Sequence, residues 1–183
     1  VLAGLGLPPK WSSPLAAYLD LLAAWSDRVN LTGARTPEDR VRILVADPLE
    51  AQGQIAAGHL IDVGSGNGSP GLVLALLRPD LRVTLLEPRL RRWAFLRDAA
   101  RRLGREDIEV LRARHDGYRG DGARTATLRA LALPLGELAP LVAPGGDLFV
   151  FGGNPEPAPP FRPGGKTPLP TTTLHRFTRD CAT

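Results

Sequence analysis

Residues 60–88, LIDVGSGNGSPGLVLALLRPDLRVTLLEP, set Gly64, Gly66, Gly68 and Gly71 directly behind an apolar run and directly before a helix-like one. Sites for nicotinamide dinucleotides, nucleoside triphosphates and S-adenosylmethionine all use a glycine loop after a first strand, so the glycines alone leave the ligand open. Their offset from the strand narrows the choice. In a parallel sheet the ligand lies beyond the carboxyl ends of the strands. Asp62-Val63-Gly64-Ser65-Gly66-Asn67-Gly68 puts an acidic residue inside the strand end and glycines at alternate positions after it. This D-x-G-x-G-x-G form is typical of S-adenosylmethionine-dependent methyltransferases, and its glycines permit positive φ and close backbone approach to a cofactor.

A rival alignment runs through Gly66, Gly68 and Gly71 as G-x-G-x-x-G, the fingerprint of an NAD(P)-dependent oxidoreductase. It skips Gly64, the first glycine after the strand, while Ser69 and Pro70 read as the cap and first residue of the following helix. No G-K-[ST] follows, which excludes a P-loop. At the end of the next strand, Glu87 is placed to accept from both hydroxyls of an adenosine ribose. An exposed strand-end carboxylate is the competing reading.

Outward from the loop, the chain alternates strands and helices. Strands are expected at 60–63, 82–86, 108–112, 124–128 and 147–151, and helices at 70–78, 89–103 and 134–143. Pro79 and Gly104 stop the first two helices. The alternation implies a Rossmann-like α/β fold, a parallel sheet with helices on both faces. Ahead of it, Ser13 and Pro14 read as the start of one helix, and Thr36 and Pro37 as the start of another. An N-terminal helical segment, 1–57, and a methyltransferase domain, 58–183, are expected to form one compact unit. The tail opens as a proline- and glycine-rich loop, and its β-branched run at 171–178 is expected to return as a strand.

The 183 residues suffice for one sizeable core, and no apolar stretch is long enough for a membrane span. The single cysteine, Cys181, excludes an internal disulfide framework and suits a reducing cytoplasm. The absence of methionine suggests a processed, tagged or truncated chain. The net charge is +4, carried almost wholly by arginine, since Lys10 and Lys166 are the lysines. Arginine forks match phosphates and stack on bases, which makes nucleic acid a candidate partner, with compositional bias as the alternative. His59, His115 and His175 have no metal-ligand spacing, and no metal is expected.

With these residues in view, the chain resembles the glucose-inhibited division protein B family, bacterial methyltransferases of guanine N7 in small-subunit (16S) ribosomal RNA. The resemblance covers about residues 20–151 and rests on NLTGAR at 30–35, DVGSGNGSPG at 62–71 and LRA at 128–130. It implies S-adenosyl-L-methionine as cofactor and ribosomal RNA or the small subunit as partner of a monomer. A cofactor site of Asp62, Gly64, Ser65, Gly66, Ser69, Glu87, Ala113, Arg114 and Arg129 follows, with Asn30, Thr32 and Arg129 positioning the substrate. No catalytic base is expected, because guanine N7 carries an in-plane lone pair and no proton. Three positions depart from the family: Leu44 stands where a histidine precedes Asp47, Arg114 where R-A-E has glutamate, and Gly152-Gly153 where lysine-glycine is usual. They keep open a non-catalytic descendant that binds cofactor or ribosomal RNA.

For the RNA surface, Arg28, Arg35, Arg40 and Arg42 lie near NLTGAR and are expected to hold phosphates. Arg91, Arg97, Arg101, Arg102 and Arg105 spread over one face of the helix at 89–103, extended to Arg105, where a solvated charged face is the competing reading. Asn30 and Thr32 have an alternative role as caps of the helix before them.

Overall fold

The computed structural model of the chain describes Leu2 and residues 7–181. Its elements are α1 (Pro9–Ser26), α2 (Pro37–Arg40), α3 (Ala46–Ala51), β1 (Gly58–Val63), α4 (Gly71–Leu77), β2 (Leu81–Leu86), α5 (Leu90–Arg102), β3 (Glu109–Leu111), β4 (Ala123–Arg129), β5 (Val142–Phe151), β6 (Phe161–Pro168) and β7 (Thr173–Arg179). The seven strands form one sheet in the order β3-β2-β1-β4-β5-β7-β6. β1 to β5 pair in parallel, and β7 runs antiparallel to both β5 and β6. The Rossmann-like expectation holds. The antiparallel β7 inserted next to β5 separates this sheet from the six-stranded dinucleotide order.

Two apolar clusters sandwich the sheet. One joins Leu15, Tyr18 and Leu22 of α1, the run Leu72–Leu77 of α4 and Phe95, Leu96, Ala99 and Ala100 of α5 to Leu60, Val83 and Leu85. The other packs Ile61, Val63, Ala126 and Leu128 under Leu135, Leu138 and Leu141. The helix expected at 134–143 is therefore a 3-10 segment, Leu135–Leu141, with Pro140 inside it. Pro140 supplies no N–H, and a short eclipsed turn is what seven residues with apolar spacing of three can form. Helical residues thus cover both faces, α-helices one and 3-10 turns the other.

The N-terminal helix begins earlier than Ser13-Pro14 indicated. Pro9 is its first residue and Pro14 lies inside. Tertiary anchoring outweighs the one backbone bond that Pro14 forfeits, because Trp11 Nε1 donates to Leu77 O at 3.1 Å while Leu15, Tyr18 and Leu22 are buried. The second start is as expected: Thr36 Oγ1 accepts from Asp39 N at 3.1 Å, with Pro37 in the first turn. A π-helical turn, Val41–Val45, then leads into α3.

The tail holds a strand that composition concealed. β6 carries Pro163 and Gly164-Gly165 and breaks register between Pro163 and Gly165. It is the last strand of the sheet, where proline is tolerated because one side needs no ladder hydrogen bond.

A buried ion pair ties the carboxyl ends of the strands together. Asp47 is fully buried on α3 and accepts from Arg129 Nη2 at 2.9 Å and from Thr171 N at 2.8 Å, with Thr171 Oγ1 also donating to it. Arg129 Nη1 donates to Ser69 Oγ at 3.3 Å, and Ser69 Oγ donates to Leu44 O at 2.7 Å. The network joins α3, the loop before α4, the end of β4 and the turn before β7. Replacing Asp47→Ala leaves a mostly buried guanidinium without its partner, so it is expected to cost about 3 kcal/mol. Thermal denaturation is expected to show Tm lower by roughly 6–12 °C; an unchanged Tm would contradict a structural role for the pair.

Candidate functional site

The glycine loop crosses the carboxyl end of β1. Gly64, Gly66 and Gly68 take φ of 68°, 54° and 94°, values in the left-handed region where a side chain is strained. Ser65 N donates to Leu86 O at 3.0 Å, and its Oγ donates to Asp62 O at 3.0 Å. Gly66 N donates to Glu87 Oε2 at 2.9 Å, and Arg89 N donates to Glu87 Oε1 at 2.8 Å. Glu87 is therefore buried and oriented by backbone, not an exposed strand-end carboxylate. Each of its oxygens retains a lone-pair direction for a hydroxyl donor.

Asp62 is fully buried beneath the loop. Thr127 Oγ1 donates to its Oδ1 at 2.6 Å, while Oδ2 has no partner among the described residues. Burial pushes its carboxyl up to about 6, against the opposing Thr127 bond. Gly71 is the residue that lets α4 start here, since a Cβ on it would meet the Asp62 side chain.

The N-terminal segment is fastened to the same loop. Asn67 Nδ2 donates to Leu31 O at 3.1 Å, and Tyr18 Oη donates to Asn67 O at 2.8 Å. Burial raises the Tyr18 hydroxyl above the ordinary phenol range, so it stays a donor. Arg92 Nη2 donates to Asn30 O at 3.3 Å. Residues 30–35 thus stand at the mouth of the site. Neither Asn30 nor Thr32 caps α1, whose C-terminal cap is Asp27; Thr32 Oγ1 instead accepts from Ala34 N at 3.1 Å, closing a local turn.

Beside the loop, a cavity of about 880 Å³ opens at the ends of β4 and β5, between Ala130–Leu135, Gly152–Glu156 and Thr171–Thr172. Leu131 is the partition. It is 43% exposed, and a Cβ on Gly64 would run into its Cδ1. The residue before it, Ala130, has φ of 55°, a left-handed backbone conformation uncommon outside glycine.

The expected residues divide. Asp62, Gly64, Ser65, Gly66 and Glu87 come together around one loop. Ser69 lies next to them but does not cap α4, whose preceding residue Pro70 has no side-chain cap; its hydroxyl serves Leu44 and Arg129. Arg129 lines the large cavity while its fork is engaged by Asp47 and Ser69. Ala113 follows the end of β3, whose Leu111 carbonyl accepts from Glu87 N at 3.1 Å, and it lines a polar hollow of about 550 Å³ with His59, Arg82 and Tyr118. Arg114 is exposed, 3.5 Å from Asp116.

Among the surface arginines, Arg28, Arg35 and Arg42 are exposed, Arg42 lying 3.3 Å from Asp39. Arg40 is half-buried, and its Nε is buried without a partner among the described residues. On α5, Arg97 stacks on Trp93 at 5.0 Å, and Arg101 and Arg102 pair with Asp98. Arg105 turns inward, donating to Ala75 O and pairing with Asp107 at 2.8 Å, which removes it from the expected charged face. Sequence reading missed Arg92, Asn67, Asp47 as an anchor, and Leu131. Arg92 lies in the first turn of α5, shortly after Glu87, where position alone marks it; the others depend on contacts across the chain.

The buried Asp62 has a pH signature. Its folded carboxyl titrates near 6 and an unfolded one near 3.8, so the folded chain holds the proton more tightly, and the stability this contributes is lost as pH rises between about 4 and 6. Asp62→Asn cannot ionise. Between pH 4 and pH 7.5 its stability relative to the parent is expected to improve by about 2–3 kcal/mol, measured as denaturant midpoints at both pH values. A pH-independent difference would show that Asp62 titrates normally.

The family model described as rRNA small subunit methyltransferase G matches residues 12–154. The Ribosomal RNA small subunit methyltransferase G of Methylobacillus flagellatus is 42% identical over 115 residues, which are 63% of this chain and 56% of that protein. The protein of the same name from Halorhodospira halophila is 40% identical over 144 residues, 76% of this chain and 68% of that one. The chain therefore spans between about half and two thirds of the curated relatives it matches.

Among solved structures, a SAM dependent methyltransferase from Aquifex aeolicus superposes with TM-score 0.59 at 14% identity, covering 78% of this chain and 93% of that one. An RNA methyltransferase from Salinibacter ruber in complex with S-adenosyl-L-homocysteine gives 0.56 at 20% identity, covering 81% and 95%. These likenesses carry the fold. With a family model matched over most of its length and relatives near 40% identity, the chain belongs to the rRNA small subunit methyltransferase G family.

Proposed function

We propose that the protein transfers a methyl group from S-adenosyl-L-methionine to N7 of a guanine in small-subunit ribosomal RNA. The observation that carries this reading is the pairing of Gly66 N–H with the buried Glu87 carboxylate, beside a cavity wide enough for a nucleotide. The residues present fit the cofactor. Glu87 offers free lone pairs to two ribose hydroxyls, and Gly64 and Gly66 leave the loop without Cβ atoms, while buried Asp62 supports the loop from beneath. Ala113 and Arg114 complete this reading on the β3 side, just beyond the Leu111 carbonyl that accepts from Glu87 N.

When bound, the cofactor supplies an electrophilic sulfonium methyl. The chain's part is to hold the base in line with it and to exclude water. N7 attacks with an in-plane lone pair, so no side chain has to remove a proton first, and proximity and orientation supply the acceleration. Asn30, Thr32 and the anchored Arg129 shape the entrance and floor of the acceptor side. We read the helical segment 1–57 and the sheet region 58–183 as one working unit, a monomer of the cytoplasm; among the described residues no helix is long and apolar enough to cross a membrane. The oxidoreductase alternative loses its basis in the strand order and in the family match.

Mass mapping of unmodified small-subunit RNA incubated with the protein and S-adenosylmethionine is expected to show one new 7-methylguanine. Gly66→Asp places a side chain on a left-handed backbone and a second carboxylate near Glu87, so calorimetry is expected to detect no S-adenosylhomocysteine binding and the RNA should stay unmodified. Tighter binding of NADH by the parent protein would overturn the reading. Cofactor binding without any methyl transfer would favour a non-catalytic family member.

Arg28, Arg35 and Arg42 are the exposed arginines around the NLTGAR loop, and we assign them to RNA phosphates, with half-buried Arg40 as a lesser contributor. Replacing the three by glutamine is expected to weaken RNA binding and to flatten its log–log salt dependence by roughly 0.7–0.9 per lost contact. Cofactor affinity should hold within about twofold, the charges being screened over the ~8–10 Å Debye length. Unchanged RNA affinity and salt slope would leave these arginines as solvated surface.

A further inference from the structure

We propose that Glu156 reads the acceptor base, its carboxylate taking the N1–H and the 2-amino group of the guanine whose N7 receives the methyl. The proposal rests on the guanine-N7 reading above and adds the residue that sets base specificity.

The cavity beside the glycine loop fixes where a base can lie. It starts at the end of β4, against the Leu131 partition, and extends to the loop after β5 that carries Glu156. β1, β4 and β5 are successive neighbours in the sheet. At ~4.8 Å per strand, the β5 loop lies roughly 10 Å across from the glycine loop. Guanine has a polarity that matches this span. O6 and N7 accept on one edge, while N1–H and the 2-amino group donate from the other. When N7 faces the glycine-loop side, the donor edge faces the β5 loop.

The acceptor needed there is available. Arg129 and Glu156 are the charged residues lining the cavity, and Arg129 is already committed to Asp47 and Ser69. Glu156 is exposed and forms no ion pair among the described residues. Its neighbours in the lining are Leu131, Leu133, Pro134 and Pro155, which offer flat apolar contact to the faces of a purine. Glu156 is also flanked by Pro155 and Pro157. Pro155 fixes its own φ, and Pro157 keeps Glu156 out of the helical region, so the carboxylate is carried on a backbone with little freedom to lose on binding.

Two consequences follow from the chemistry. Adenine presents N1 as an acceptor where guanine presents N1–H, so the carboxylate repels adenine. Methylation at N7 leaves the ring cationic, which strengthens the hydrogen bonds from N1–H and the amino group as charge develops. A carboxylate on that edge therefore favours the transition state over the bound substrate, and it acts on rate as well as on affinity.

The test is single-turnover methyl transfer to unmodified small-subunit RNA by the parent protein and by Glu156→Gln, with guanosine and inosine monophosphates as competing inhibitors. Inosine lacks only the 2-amino group. The expected result is a rate roughly 10- to 100-fold lower in Glu156→Gln, the size of a lost bidentate base contact, with S-adenosylhomocysteine affinity unchanged within about twofold. The parent is expected to prefer guanosine over inosine monophosphate by about tenfold, and the variant to lose that preference. A variant that transfers at the parent's rate, a guanosine-to-inosine ratio that does not change, or inhibition by neither nucleotide overturns the proposal while leaving guanine-N7 transfer standing. A parent protein that modifies no guanine overturns the reading beneath it, and the proposal with it.

Discussion

One buried carboxylate ties together segments from both ends of the chain at the carboxyl edge of the sheet. Asp47 reaches Arg129 at the end of β4 and the Thr171 backbone before β7, while Ser69 bridges Arg129 to the Leu44 carbonyl. Four segments far apart in sequence are fixed by a set of charge-assisted bonds that cannot be satisfied separately. A buried pair of this kind is weak evidence of net stabilisation, because desolvation offsets much of the attraction. Its effect is geometric. It fastens the loop before α4 to the end of β4, adding to the register that direct pairing of β1 with β4 already sets.

The two halves of the site differ in how they are built. The glycine-loop side is made by backbone: positive φ at three glycines, a strand-end carboxylate oriented by two N–H groups, and a buried aspartate with one oxygen still unpartnered. The other side is a wide hollow of mixed polarity, walled by the ends of β4 and β5 and the loops that follow them. Leu131 stands between them on the left-handed Ala130, a conformation that costs energy and persists only where the surroundings impose it. Holding Leu131 against Gly64 lets one side chain contact whatever occupies either side.

Much of this was legible in the sequence, for local reasons. The apolar run ending in Asp62, the alternating glycines and the acidic end of β2 are set by backbone constraints that act over a few residues, and β1, β2, β4 and α5 lie within a few residues of their expected bounds. What was not legible depends on packing at long range. Pro14 looked like a helix start because its own N–H is missing, yet Trp11 anchors an earlier turn to Leu77. The 161–168 strand was hidden by prolines and glycines that only an edge position tolerates. Arg105 looked like part of a charged face until its guanidinium was found on the α4 backbone. Nothing local marks Asp47 as an anchor, since its partners lie 82 and 124 residues away.

The positions where the chain departs from its family can be weighed by the same criterion. Leu44 is buried, and the site uses its backbone carbonyl, which any residue supplies. Arg114 is exposed and lies beside Asp116. Gly152 has φ of 85°, and a Cβ on it would come within 2.8 Å of Thr172 Oγ1, so the present backbone accepts no lysine there. That last change alters the wall of the large cavity and leaves Glu156 without a cationic neighbour four residues before it. Of the three departures only Gly152 lines the large cavity, and none falls on the glycine loop, on Asp62 or on Glu87, so the backbone-built half of the site is the half that they leave unchanged.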